Sequence, residues 1–135
     1  MIVADTNLIS YLLIAGKRTD QARRIWRRDS AWIMPPLWRS EFLNVLALSV
    51  RASLLRADQA RASWRYAADL FRSSELEPAA SAVLDTAIRL GISAYDAHFV
   101  VVAEQLGAKL VTNDRELLDR CPELTLSMAS FAAGA

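Results

Sequence analysis

Two short apolar segments near opposite ends of the chain most constrain its fold. Residues 1–4 (Met-Ile-Val-Ala) and 109–112 (Lys-Leu-Val-Thr) are each too short for a helix, and Asp5 and Asp114 follow them closely. Short apolar runs of this kind are typical of strands buried on both faces of a parallel sheet. In such sheets the ligand-binding crevice lies beyond the carboxyl ends of the strands. We therefore expect Asp5 and Asp114 to face one crevice.

Between these segments, helical and extended patterns alternate along the chain. Helices are predicted at residues 5–16, 20–28, 37–54, 57–72, 78–90, 93–107 and 114–119, and further strands at residues 31–34, 74–77 and 124–127. This alternation predicts an α/β fold, with a central, mostly parallel sheet of about four to five strands and helices on both faces. The length of 135 residues fits one domain. We place that domain at residues 1–130 and expect residues 131–135 to form a frayed tail.

Composition excludes several classes of protein. Apolar residues make up 53% of the chain and charged residues 23%, which is typical of a folded domain. No apolar run approaches the roughly 18 residues that a membrane span needs, and no basic segment precedes the first strand as in a secretory signal. The single cysteine, Cys121, excludes an internal disulfide and a cysteine-based zinc site. We therefore expect a cytoplasmic protein.

The positive and negative charges are divided unevenly between the two halves of the chain. Residues 1–72 contain 12 lysines and arginines against six acids, whereas residues 73–135 contain four against nine. Four of the arginines fall in one predicted helix: Arg23, Arg24, Arg27 and Arg28. A basic stripe beside an acidic cleft suits a polyanion such as nucleic acid. The alternative is an arginine-rich helix face that simply contacts solvent.

Glu41 is the acid that is hardest to explain by structure alone. It falls in an apolar helix and shares one helical face with Leu37, Asn44 and Val45. A carboxylate on a buried face is costly unless it is paired or binds a metal ion. Glu41 is therefore either a metal ligand or one half of a buried ion pair, for example with Arg39. Asn44, one turn further on, is placed to orient it.

Asp5, Asp96 and Asp114 all fall at predicted helix starts, where aspartate often caps the helix. Ser93 and Asp96 have the spacing of a capping-box variant. Capping is compatible with a position beside a cleft, and Thr6 and Asn7 add polar groups next to Asp5. Like charges at 4 Å repel by about 4 kcal/mol at an effective dielectric near 20. If the acids converge, a hard divalent cation is the natural way to offset that repulsion.

Four segments carry a resemblance to a known family. They are residues 3–7 (Val-Ala-Asp-Thr-Asn), 40–46 (Ser-Glu-Phe-Leu-Asn-Val-Leu), 93–97 (Ser-Ala-Tyr-Asp-Ala) and 110–114 (Leu-Val-Thr-Asn-Asp). Their order and spacing resemble those of PIN domains, and specifically of the VapC-type ribonuclease toxins of bacterial toxin–antitoxin pairs. The resemblance covers nearly the whole chain, and none of the four acids is missing.

The resemblance implies a Mg²⁺- or Mn²⁺-dependent endoribonuclease that binds one or two ions and leaves 5′-phosphate and 3′-hydroxyl ends. The implied catalytic and metal-binding residues are Asp5, Glu41, Asp96 and Asp114, supported by Thr6, Asn7, Asn44 and Thr112. Some relatives carry one more acid after the fourth, for which Glu116 and Asp119 are the candidates. The implied partners are RNA and a VapB-like antitoxin. The apolar helices predicted at residues 37–54 and 57–72 further suggest a homodimer.

Other functions stay open at this point. A metal-free ribonuclease needs more than the single histidine, His98, which we expect to have a local packing or capping role. A phosphatase of the haloacid-dehalogenase type would carry a second aspartate where Asn7 stands. The remaining alternatives are a PIN nuclease in RNA processing and a non-enzymatic α/β binding module. Glu41 argues against the binding module, because it caps no predicted helix.

Overall fold

Four parallel strands form the centre of the molecule in the computed structural model, which describes residues 1–135. The strands are β1 (Ile2–Ala4), β2 (Trp32–Ile33), β3 (Leu110–Val111) and β4 (Thr125–Leu126), in the order β2-β1-β3-β4. Every neighbouring pair is parallel, and Val3 of β1 aligns with Leu110 of β3. The predicted α/β fold with a parallel sheet is therefore confirmed.

Eight helices surround this sheet. They are α1 (Thr6–Leu13), α2 (Thr19–Arg28), α3 (Trp38–Arg51), α4 (Ala57–Leu70), α5 (Ala80–Leu90), α6 (Ala94–Leu106), α7 (Arg115–Arg120) and α8 (Met128–Ala132). Successive strand residues point to opposite faces, so the complete burial of β1 means that both faces of the sheet are covered. Helix α6 packs against β1 and β3, while α1 packs against α2 and α3. No helix is both long and apolar enough to cross a membrane.

Six aromatic residues pack together in the core, where β2 meets α2, α3 and α4. This aromatic cluster consists of Trp26, Trp32, Trp38, Phe42, Trp64 and Phe71. The rings of Trp32 and Phe71 are stacked with centroids 6.2 Å apart, and Trp38 meets Phe71 edge-on at 5.6 Å. Such pairs stabilise a core by about 0.5–1.5 kcal/mol beyond their buried area.

Three differences from the predicted elements are notable, besides the end of α1 at Leu13 instead of residue 16. The strand expected at residues 74–77 is only an isolated bridge between Glu75 and Met34, so the sheet has four strands. The helix predicted to reach residue 54 ends at Arg51, and Ser53 adopts φ +60°, which few non-glycine residues do. Nothing in the local sequence signals that turn, because no glycine or proline marks it.

The third difference lies at the C-terminus, where residues 128–132 form α8. Ser127 caps this helix by accepting a hydrogen bond from the Ser130 N–H, and Phe131 is buried. The domain boundary that we predicted after residue 130 therefore falls inside a packed helix. Alanine and serine dominate this segment, so its short apolar face was too weak a signal.

Candidate active site

Pairing of β1 with β3 brings the first and last of the four acids together. Asp5 directly follows β1, and its backbone N–H donates to the Val111 carbonyl at 3.4 Å. The Thr112 hydroxyl donates to Asp5 Oδ2 at 2.6 Å and accepts from the Asp114 N–H at 3.0 Å. One threonine thus fixes Asp5 relative to the segment that carries Asp114.

Glu41 approaches the same place from the first turn of α3. The Thr6 hydroxyl, at the start of α1, donates to Glu41 Oε1 at 2.7 Å. The ion pair considered between Glu41 and Arg39 is absent, because Arg39 binds both carboxylate oxygens of Glu75 at 2.7 Å. Glu41 forms no ion pair at all. Its half-buried charge therefore has no salt-bridge partner, and the charge of His98 lowers its pKa less than burial raises it.

Helix capping accounts for only part of the acid pattern. Asp5 caps α1 by accepting from the Asn7 N–H at 3.4 Å, and Asp114 caps α7 by accepting from the Leu117 N–H at 3.1 Å. At α6 the cap is instead the Ser93 hydroxyl, which accepts from the Asp96 N–H at 3.0 Å. Neither the Asp96 carboxylate nor the Glu41 carboxylate caps a helix, so capping does not explain their positions.

All four acids line one cleft, which we call the acidic cleft. Its volume is about 250 Å³, and its lining residues are Asp5, Thr6, Asn7, Glu41, Asn44, Val45, Asp96 and Asp114. No lysine, arginine or histidine lines it. Three of the predicted supporting residues, Thr6, Asn7 and Asn44, line the cleft. The fourth, Thr112, does not line it but donates a hydrogen bond to Asp5, which does. Val45 is the one lining residue that was not singled out as part of the site.

Three of these carboxyls have raised pKa values, and burial is the largest cause each time. Hydrogen bonds from Thr112 and the Asn7 N–H oppose the rise in the pKa of Asp5, while the charge of Asp114 adds to it. The pKa of Glu41 is raised by burial and by the charges of Asp5 and Asp96, against the Thr6 hydrogen bond. Burial, Asp114 and Asp5 raise the pKa of Asp96. The cleft therefore concentrates negative charge that its own residues do not offset.

The donor set of the cleft fits a hard divalent cation. Carboxylate, hydroxyl and amide oxygens are the ligands that Mg²⁺ and Mn²⁺ prefer. No three of the acidic, histidine or cysteine side chains are as close together as shared metal ligation requires. The four acids nevertheless line one cleft. Rotation of their side chains about χ1 and χ2 brings carboxylate oxygens closer together without any movement of the backbone. The backbone sets the shared cleft, so the four acids stay within reach of a cation bound there.

The other predicted residues lie outside the acidic cleft. Arg23, Arg24, Arg27 and Arg28 are exposed on α2, and none of them lines the cleft. The guanidinium of Arg28 lies 5.3 Å from the Phe131 ring centre, against α8. Binding of RNA by these four arginines stays a prediction.

The further acids and the histidine are distinguished by their surroundings. Glu116 acts on the cleft, since its charge contributes to the raised pKa of Asp96, whereas Asp119 lines a different pocket. His98 Nδ1 lies 2.6 Å from the Ala94 carbonyl oxygen, one turn back along α6. This is the local contact expected for that side chain.

Comparison with known proteins identifies the family. The PIN domain profile matches residues 2–123. Ribonuclease VapC3 of Pyrobaculum aerophilum is 30% identical over 126 residues, which cover 91% of this chain and 96% of that protein. Exonuclease VapC9 of the same organism is 44% identical over 73 residues, covering 53% of this chain and 55% of that protein. The crystal structure of PAE2754 from Pyrobaculum aerophilum has a TM-score of 0.73 at 28% identity, covering 98% of this chain and 93% of that one. The chain therefore belongs to the PIN domain family and is a VapC-type member of it.

Proposed function

We propose that this protein is a metal-dependent endoribonuclease and the toxin of a type II toxin–antitoxin pair. The observation that carries the proposal is the shared cleft of Asp5, Glu41, Asp96 and Asp114 at the carboxyl ends of β1 and β3. An acidic cleft with no basic residue in it repels an RNA backbone unless a cation is bound. Membership of the VapC-type group supports the same activity.

In this proposal the four acids bind one or two Mg²⁺ or Mn²⁺ ions. A bound divalent ion lowers the pKa of water and offsets charge on the transferred phosphoryl group. The reaction is hydrolysis of an RNA phosphodiester: the water oxygen joins phosphorus, and the bond to the 3′-oxygen breaks. The products are a 5′-phosphate and a 3′-hydroxyl.

The residues around the acids have a positioning role in this chemistry. Thr112 and Thr6 each donate a hydroxyl hydrogen bond to one carboxylate, at 2.6 Å and 2.7 Å. These hydrogen bonds favour the ionised carboxylates of Asp5 and Glu41. The ionised carboxylate is also the form that binds a cation. Asn7 and Asn44 are exposed beside them and offer amide N–H donors to a substrate phosphate.

We propose that the partners are RNA, a VapB-like antitoxin and a second copy of this chain. Support for the homodimer comes from large apolar side chains left exposed on α5 and at the start of α6: Leu84, Ile88 and Tyr95. Support for an antitoxin comes from an apolar pocket of about 560 Å³ between α1, α2 and α4, lined by Leu12, Trp26 and Tyr66 among others. We also propose a cytoplasmic setting, because the one thiol, Cys121, is buried and unpaired.

The test is cleavage of single-stranded RNA with and without EDTA, followed by analysis of the ends. We expect EDTA to abolish cleavage, added Mg²⁺ or Mn²⁺ to restore it, and the products to carry 5′-phosphates. Either ion should also raise the melting temperature, because it binds the folded cleft and not the unfolded chain. Cleavage that is insensitive to chelator, or products with 2′,3′-cyclic phosphates, would contradict the proposal.

A further inference from the structure

Two arginines outside the acidic cleft, Arg18 and Arg115, share one polar pocket. This arginine pocket has a volume of about 410 Å³, and its lining includes Arg18, Gln21, Asn113, Arg115 and Asp119. Both arginines are exposed, and neither takes part in an ion pair. Their charges are therefore available to an anionic ligand.

The arginine pocket lies directly beside the acidic cleft. Asn113 lines the pocket, while its neighbour Asp114 lines the cleft and its other neighbour, Thr112, donates to Asp5. Arg115 is the next residue after Asp114. The Asn113 side chain is held in place, since its Oδ1 accepts from the Met128 N–H at 3.1 Å. The continuous segment from Thr112 to Arg115 thus joins Arg115 to the acids, and Arg18 lines the same pocket.

A second pocket borders both the acidic cleft and Arg18. It is about 320 Å³ in volume, lies between α1 and α3, and includes Tyr11, Lys17, Arg18 and Val45 in its lining. Val45 also lines the acidic cleft, and Arg18 also lines the arginine pocket. The Arg18 guanidinium lies 5.8 Å from the Tyr11 ring centre, a cation–π contact that limits its freedom. Arg18 therefore stands where the two pockets meet.

Charge within the arginine pocket favours an anion. Asp119 is the only acid in the lining, and it pairs with neither arginine. The planar guanidinium group has a geometry suited to two phosphate oxygens at once. By contrast, the α2 arginines line neither the cleft nor the arginine pocket, and the pocket that Arg23 does line is mainly apolar.

We propose that Arg18 and Arg115 bind the backbone phosphates of single-stranded RNA next to the phosphodiester held in the acidic cleft. This inference rests on the proposed function, because the acidic cleft supplies the point of cleavage. The ligand is the phosphodiester backbone itself, so the pair contributes affinity without reading base sequence.

The test compares two double variants that each lose two positive charges. The first is Arg18→Gln with Arg115→Gln, and the control is Arg61→Gln with Arg65→Gln on α4. Arg61 and Arg65 are exposed, form no ion pair, and line a pocket that shares no residue with the cleft. All proteins carry Asp96→Asn, so that RNA survives in Mg²⁺. Circular dichroism checks that each one is folded.

Binding is measured by fluorescence anisotropy at several salt concentrations. The probe is fluorescein-labelled random RNA about 20 nucleotides long, which exceeds the roughly 4–16 nucleotides that a single-strand-binding fold typically covers. For the first pair we expect Kd to rise about tenfold. The slope of log affinity against log salt should become shallower by about 1.4, because each lost phosphate contact on single strands removes about 0.7. The control pair should change Kd less than about twofold, as expected for distant, screened charges.

Equal losses in the two pairs, or unchanged binding in the first, would overturn the proposal. Cleavage by proteins that retain Asp96 separates this outcome from failure of the proposed function. If RNA is cut in a Mg²⁺-dependent way but the two double variants bind RNA equally well, only the proposed role of Arg18 and Arg115 is wrong. RNA that is never cut, with binding still dependent on Arg18 and Arg115, removes only the proposed reaction.

Discussion

Helix α3 contributes residues both to the aromatic cluster and to the acidic cleft, and the two regions affect the stability of the fold in opposite ways. Trp38 and Phe42 of α3 are buried in the cluster, whereas Glu41, between them in sequence, faces the cleft. One face of α3 therefore contributes to stability and another to the proposed chemistry. The comparison shows how one helix holds a group of like charges together on one face because its other face is firmly packed in the core.

The cluster satisfies every group that it buries. The Trp38 indole N–H donates to Glu75 Oε2 at 2.7 Å, and Arg39 donates to both oxygens of the same carboxylate. No buried side-chain polar atom in the molecule lacks a partner. The cleft differs because none of its four carboxylates forms an ion pair. We therefore expect substitutions in the two regions to separate stability from activity.

The largest effect on activity should come from Asp96→Asn. The substitution keeps the shape of the side chain but removes one negative charge, and the Ser93 cap stays intact because it bonds the backbone N–H. We expect cleavage to fall by at least about a hundredfold to a thousandfold, the usual loss when one charge-stabilising group is removed from an active site. The melting temperature should stay constant or rise. RNA cleavage and thermal denaturation measure the two effects.

Asp85→Asn is the matched control for that variant. Asp85 is exposed on α5 and takes no part in the cleft. The Asp85→Asn variant should cleave RNA at the rate of the parent protein. Full activity in Asp96→Asn would show that the cleft is not the catalytic site.

Trp38→Ala should have the largest effect on stability. Trp38 is 1% exposed and contacts Phe42, Trp64 and Phe71. Removing a buried aromatic side chain costs about 3–5 kcal/mol of unfolding free energy. Urea denaturation measures that loss, and Trp38→Phe, which keeps one aromatic ring but removes the indole N–H and part of the buried volume, should lose less. Below its melting temperature the alanine variant should keep its catalytic rate, and a large loss of rate in folded protein would show that the two regions are coupled.

Asp5→Asn tests whether the acidic cleft, unlike the aromatic cluster, lowers the free energy of unfolding. Burial raises the pKa of Asp5, so the ionised carboxylate destabilises the folded state. In wild type, measured with EDTA, unfolding free energy should fall as pH rises from about 4, the ordinary carboxyl value, through the raised folded pKa. Asparagine removes this contribution: its Oδ1 still accepts from the Asn7 N–H, while its amide NH2 takes the place of Oδ2 and donates to the Thr112 hydroxyl oxygen instead of accepting from it.

At neutral pH we expect the Asp5→Asn variant to be more stable by on the order of 1 kcal/mol, because it no longer buries a carboxylate charge and, as a smaller contribution, no longer repels Asp114. Its unfolding free energy should also depend less on pH between 4 and 7 than that of wild type, as measured by urea denaturation at several pH values. A variant that is less stable at pH 7, or that follows the wild-type pH curve, would contradict this interpretation. Added Mg²⁺ should stabilise wild type more than the variant.

The sequence was most informative where a residue conflicts with its local pattern. Glu41 is unusual because a carboxylate in an apolar helix is costly unless it has a partner. Asp5 and Asp114 are unusual because they follow apolar strands. Contacts between distant residues left no such signal. The bond between Glu75 and Trp38 joins residues 37 positions apart, and neither side chain is unusual where it stands. The same applies to Arg18 and Arg115, which line one pocket although they are far apart in the sequence.

Local backbone geometry was the other limit. The turn after α3 depends on Ser53 in a left-handed conformation that its sequence does not favour, so the predicted helix ran three residues too far. Helix α8 was missed because its stability comes from packing of Met128 and Phe131 rather than from helical periodicity. Tertiary packing overrides weak local preference in both places.

The smallest expected effect is that of Thr112→Val, which tests a positioning residue and leaves all four acids in place. Valine has nearly the shape of threonine but cannot donate to Asp5 Oδ2 or accept from the Asp114 N–H. We expect cleavage to fall about tenfold, as for groups that orient metal ligands, and unfolding free energy to fall by about 1–2 kcal/mol. Because the Thr112 hydrogen bond lowers the pKa of Asp5, its loss should move the acidic limb of the pH–rate profile to higher pH. Thr112→Ser keeps the hydroxyl and should restore both the rate and the position of that limb. A valine variant with reduced stability but an unmoved pH profile would assign Thr112 to the fold alone, since a purely structural contact has no reason to change how Asp5 titrates.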